Sequence, residues 1–87
     1  MNDPRYGVLA RDMLAALAAL REGLPDTVRF EVQGALLRLS YGDQDCWVGW
    51  FKPNVYSLFR LAGEQVQEAQ IITPGGLVSA ARVYLKL

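Results

Sequence analysis

The order of hydrophobic patterns predicts an α+β fold: an N-terminal helix, a four- to five-stranded antiparallel meander, and a C-terminal helix, with both helices on one sheet face. Three observations predict it. Between residues 6 and 24 apolar side chains recur at spacings of three and four. From Thr27 to Leu61 the period drops to two, broken by short Gly, Pro and Asn turns. From Thr73 the helical period returns. With 87 residues the chain holds one core, so residues 1–87 are read as a single domain.

Asp3-Pro4 has the form of a helix start, an aspartate cap followed by proline at the first helical position. Tyr6, Leu9, Met13, Leu17, Leu20 and Leu24 then make one apolar stripe, and Gly23 and Pro25 end it. The opposite side, with Ala15, Ala18 and Ala19, is rich in alanine, which fits helix propensity or a second helix packing there.

Val28, Phe30 and Val32 alternate with Thr27, Arg29, Glu31 and Gln33, the pattern of a half-buried strand. Gly34-Ala35 turns the chain into a second strand, Leu36–Tyr41. The loop 42–45 leads to a third, Cys46–Lys52, and Pro53-Asn54 to a fourth, Val55–Leu61. A fifth strand near Gln67–Ile72 alternates poorly and reads as a bulged edge strand. Thr73-Pro74 repeats the cap-then-proline signature. After it Ser79, Arg82 and Lys86 share one helical face, and Leu77, Ala81, Tyr84 and Leu85 the other.

Counting back from these turns places Val28, Phe30, Val32, Leu37, Leu39, Tyr41, Cys46, Val48, Trp50, Val55, Phe59 and Leu61 on one face, the expected core. The opposite face then carries Trp47, Phe51, Tyr56 and Leu58, with Leu36 beside them and Arg38 and Arg60 at the rim. Glu31 faces Arg38 as a cross-strand ion pair. With both helices on the first face, this apolar cluster has no cover of its own. Residues 46–63 contain no acidic residue, a composition typical of interface centres.

Composition narrows the function classes. Nine basic and nine acidic residues cancel, so no whole-molecule field draws nucleic acid or anionic lipid, and little repulsion opposes self-association. Histidine is absent, which removes Ser-His-Asp and Cys-His catalysis and imidazole metal sites. The single cysteine, Cys46, offers neither an internal disulfide nor a zinc spacing, and the expectation is a cytoplasmic protein without cofactor or metal. The apolar run Met13 to Leu20 is too short to span a membrane, and Asp3 and Asp12 stand where a secretion signal carries basic residues.

The expected function is therefore a non-catalytic protein-interaction module, homodimeric through Leu36, Trp47, Phe51, Tyr56 and Leu58 with Arg38 and Arg60 around them, or bound there to another protein. One alternative is single-stranded nucleic acid stacking on the same rings. Another is a small anion at the glycine-rich helix start, Gly75-Gly76. The helix–meander–helix order is similar, at the level of fold alone, to the frataxin-like architecture. The acidic first-helix surface of those iron-binding proteins is missing here, so no function is carried over.

Overall fold

The structure is a computed structural model that describes residues 4–87, with side chains from residue 7 onward. The proposed Asp3 cap and the Tyr6 side chain lie outside the described residues. The elements run α1 (Pro4–Gly23), β1 (Arg29–Gln33), β2 (Leu36–Tyr41), β3 (Gln44–Lys52), β4 (Val55–Ala62), β5 (Gln65–Ile72) and α2 (Pro74–Leu85). The five strands form one antiparallel sheet in sequence order. Both helices pack on the same face of it.

Each hairpin closes on a two-residue loop, since Gln33 pairs with Leu36, Tyr41 with Gln44, Lys52 with Val55 and Ala62 with Gln65. Three loops begin with a glycine at positive φ: Gly34 and Gly42 at 61° and Gly63 at 63°. That is the position type II′ turns reserve for glycine, and their twist matches the strands. The remaining loop is Pro53-Asn54, with Asn54 at φ 61°. Proline followed by a positive-φ residue makes a type II turn, which matches strand twist less well.

Two registers differ from those counted from the sequence. The second loop is Gly42-Asp43 rather than residues 42–45, so Leu37 meets Val48 and Leu39 meets Cys46. A shift of two keeps every side chain on its expected face. The next hairpin is different. A β-bulge between Trp50 and Lys52 inserts one extra residue, and Trp50 pairs with Tyr56 while Val48 pairs with Leu58. One inserted residue exchanges the two faces of β4. Tyr56 and Leu58 therefore enter the core, 2% and 0% exposed, and Val55, Phe59 and Leu61 turn to the opposite side.

Leu37, Leu39, Cys46, Val48, Tyr56 and Leu58 project from the sheet into the core. Ala16 and Leu20 of α1 meet them, together with Leu77, Ala81, Tyr84 and Leu85 of α2. Removing a large aliphatic side chain of this kind from water is worth about 1.5–3 kcal/mol. The interior face of α2 is the one its periodicity predicts. Thr73 precedes α2 in extended conformation, but its side chain makes no capping bond; Pro74 opens the helix instead. Ala15, Ala18 and Ala19 are exposed, so the alanine-rich side of α1 serves helix propensity and receives no second helix. The deepest line of α1 is Asp12, Ala16 and Leu20, while Leu9, Met13 and Leu17 are half-buried beside it.

Asp12 is only 3% exposed and is the one buried charged residue among the described residues. Its Oδ2 accepts the Trp50 indole N–H at 2.9 Å and the Asn54 backbone N–H at 2.9 Å. Its own backbone carbonyl accepts the Tyr56 hydroxyl at 2.6 Å, and Arg11 stands 3.5 Å from Oδ1. One residue of α1 thus grips the bulge, the turn and the start of β4. The Asn54 N–H, followed by the Trp50 N–H, favours the carboxylate over the acid and holds Asp12 below the ordinary carboxylate range despite burial.

Replacing Asp12 by alanine strands two donors in a closed site and should cost about 2–4 kcal/mol in chemical denaturation. Because the folded pKa is depressed, the stabilisation is complete above the unfolded value and is lost as pH falls through the folded one. The stability gap between wild type and Asp12→Asn should therefore shrink as the pH falls below the ordinary carboxylate range. A gap independent of pH would refute the role of the charge.

Candidate interaction surface

Alternation along each strand sends a second set of side chains to the face without helices. Trp47 of β3 stands opposite Phe59 of β4, and Leu61 opposite Val66 of β5. Leu36 of β2 and Ile71 of β5 extend the set. At its centre is Gly49, where an added Cβ would lie 3.1 Å from Leu36 Cδ2, 3.1 Å from Ser57 Oγ and 3.7 Å from Phe59 Cε1. The absent side chain lets Leu36 and Phe59 lean together over the strand. Val66 and Ile71 are 58% and 54% exposed, and Phe51, at the bulge, 54%. No described helix covers this surface.

The β1–β2 half of the same face is polar. Arg38 bonds Asp45 at 2.9 Å and lies 3.7 Å from Glu31, with its guanidinium carbon 5.7 Å from the centre of the Trp47 ring. The Glu31–Arg38 pair is the one the register anticipates. Exposed pairs of this type contribute about 0.2–1 kcal/mol, so their main effect is to fix the guanidinium beside the indole.

Of the residues expected here, the structure brings together Leu36, Trp47 and Arg38, with Phe51 exposed at the margin. Tyr56 and Leu58 are corrected to the core by the β4 bulge. Arg60 is corrected with them: it lies on the helix side, donates to the Tyr84 carbonyl at the end of α2, and stands 3.5 Å from Glu68. Phe59 and Leu61 replace Tyr56 and Leu58, and the same parity argument would have found them had the bulge been visible. Val66 and Ile71 were hidden by the weak alternation of β5. Its cause is a second bulge, where Glu68 adopts φ 53°.

At the other expected site, Gly76 donates its N–H to the Thr73 carbonyl at 3.0 Å, and an added Cβ would meet Ile72 at 3.3 Å. The close approach of β5 to α2 accounts for that glycine. Gly75 is exposed with open space around it. Asp45, on β3 next to the Gly42-Asp43 turn, is occupied by Arg38. Among the described residues no three His, Cys, Asp or Glu side chains gather as metal ligands, and no helix is long and apolar enough to cross a membrane. Cys46 is fully buried, and burial pushes its thiol up to about 12.

No protein-family model matches the chain, and no curated protein or solved structure is significantly similar to it.

A thiol held in this way reacts only when the core opens. Cys46 in the native protein should be inert to a thiol-specific disulfide reagent at neutral pH and react fully in denaturant. Rapid native labelling would contradict its placement.

Proposed function

We propose that this protein is a non-catalytic interaction module that self-associates through the helix-free face of its sheet. The observation that carries the reading is the apolar cluster of Leu36, Trp47, Phe59, Leu61, Val66 and Ile71, of which Val66 and Ile71 are exposed and the rest half-buried, with no described helix over it. Monomeric soluble proteins seldom expose an apolar patch of this kind without a partner. Five strands about 4.8 Å apart and about 20–25 Å long present a face of about 500–600 Å², its polar β1–β2 half included. That approaches the contribution of one partner to a small specific interface. Trp47 beside Arg38 supplies the residue types that dominate binding energy in such contacts. The absence of net charge leaves no global repulsion between copies.

The structure weakens the support for nucleic acid on the same face. Arg60 faces the helices and Arg38 is bonded to Asp45, which leaves Lys52 and Arg29 at the margins of the face as its exposed cations, fewer than a groove that tracks a phosphate backbone uses. The buried Cys46 thiol, far from ionisation, likewise favours a non-catalytic role.

Sedimentation equilibrium tests the reading. Wild type should behave as a dimer at micromolar concentration, and Trp47→Asp or Phe59→Asp as a folded monomer. The variant of choice is not Tyr56→Ala, which would remove a core hydroxyl bonded to Asp12. A wild-type monomer at high concentration overturns the proposal.

A further inference from the structure

The sheet has two free edges, and they are not equivalent. β5 is bent by the bulge at Glu68, whose carbonyl accepts the Tyr84 hydroxyl and whose carboxylate stands 3.5 Å from Arg60. A bulge fastened in this way is a device that keeps an edge from pairing with another strand. β1 has no bulge, no proline and no covering element among the described residues; four of its five residues are exposed.

Its free backbone groups can be assigned. Gln33 and Leu36 flank a two-residue loop, so they form the pair that exchanges both backbone bonds. Alternation then aims the N–H and C=O of Glu31 and Arg29 at β2, and those of Phe30 and Val32 outward. The side chains of Phe30 and Val32 lie on the helix side of the sheet, because Val32 pairs with the buried Leu37 and Phe30 with the buried Leu39.

Beside this edge runs a groove of about 370 Å³ between the first half of α1 and the β1–β2 hairpin. Leu9, Met13, Leu14 and Leu17 line its helix wall, and Val32 and Leu37 its sheet wall. None of them offers a charge or a side-chain hydrogen bond. Its lips, Leu14 and Val32, are each 68% exposed. Met13 and Leu17 pack against the core at the inner side of the groove, while Asp12 ties α1 to the β3–β4 hairpin and Leu14 and Val32 stay open at its mouth.

We propose that β1 and this groove form a receptor for an extended peptide segment that adds antiparallel to β1. In that geometry the peptide residues opposite Val32 and Phe30 exchange backbone bonds with them and project to the same side. The residue opposite Val32 thus enters the groove beneath α1, and the residue opposite Phe30 projects beside the Phe30 ring, whose centre lies 5.6 Å from the Arg21 guanidinium carbon. The residue between them faces outward opposite Glu31, whose carboxylate is 57% exposed and only loosely held by Arg38, so a basic side chain suits it. Backbone bonds supply general affinity and the groove supplies sequence preference, as in other strand-addition sites. The occupant is a partner with an apolar–basic–apolar strand, and the site is separate from the opposite sheet face.

The test uses a capped, fluorescein-labelled five-residue peptide with valine at its second and fourth positions and lysine between, titrated by anisotropy. Trp47→Asp protein is used beside wild type, so that self-association and peptide binding are read apart. Saturable sub-millimolar binding is expected in both. N-methylating the two valines removes the donors to β1 and should weaken binding by about tenfold or more. Val32→Pro removes an outward N–H without breaking a ladder bond, and Leu14→Lys places a charge on the exposed lip; each should weaken binding similarly. Slowed amide exchange at Phe30 and Val32 in the complex gives a direct readout. Absence of wild-type binding at millimolar peptide, binding indifferent to N-methylation and to Leu14→Lys, or loss of binding in folded Trp47→Asp overturns the proposal.

Discussion

A carboxylate removed from water must be solvated by the protein, and the way Asp12 is solvated organises this molecule. Its partners are two N–H groups that ordinary strand geometry would not bring together: an indole on β3 and the backbone amide of a turn residue. To present both, the β3 strand admits an extra residue and the following turn takes Asn54 into the left-handed region. The Tyr56 hydroxyl closes the arrangement on the Asp12 carbonyl. The electrostatics of one helical residue and the bulge in a strand are therefore a single feature.

Its consequences reach both faces of the sheet. By shifting β4 one position, the bulge delivers Tyr56 and Leu58 to the helices and Phe59 and Leu61 to the open side. By drawing α1 toward β3, it leaves a groove between α1 and the sheet corner at β1. A thin core is the usual condition of a chain this short. Here that economy leaves two apolar surfaces, a broad one on the open face and a narrow one beside β1. Each has a different recognition chemistry: flat ring and aliphatic contacts in the first, backbone pairing with side-chain insertion in the second.

Charges are used to close off what is not needed. Arg60 satisfies the Tyr84 carbonyl near the end of α2 and, through Glu68, holds the bend in β5. Arg38 is fastened by Asp45 against the Trp47 ring, with Glu31 3.7 Å away. Of the two sheet edges, the one at β5 is thereby distorted, while β1 keeps regular geometry. Conformational freedom is spent in a few turn positions, where glycine or asparagine accepts positive φ.

Local chemistry was enough to define the elements. Helical spacing in residues 6–24, two-residue alternation through the meander, and glycine or proline turns specified the fold class, the strand order and the inward face of α2, because each signal depends on neighbours a few positions apart. It also placed Leu36, Trp47 and Arg38 on the side away from the helices. The side taken by β4 was not legible, since alternation is a parity and one unpaired residue reverses it. Nothing between Trp50 and Lys52 marks that residue; its reason is Asp12, 38 positions from Trp50 in sequence. For the same cause an aspartate within an apolar helix could not be recognised as the most buried charge. The chain's patterns decided what its pieces are, and a long-range hydrogen-bonded carboxylate decided which of their surfaces remain open.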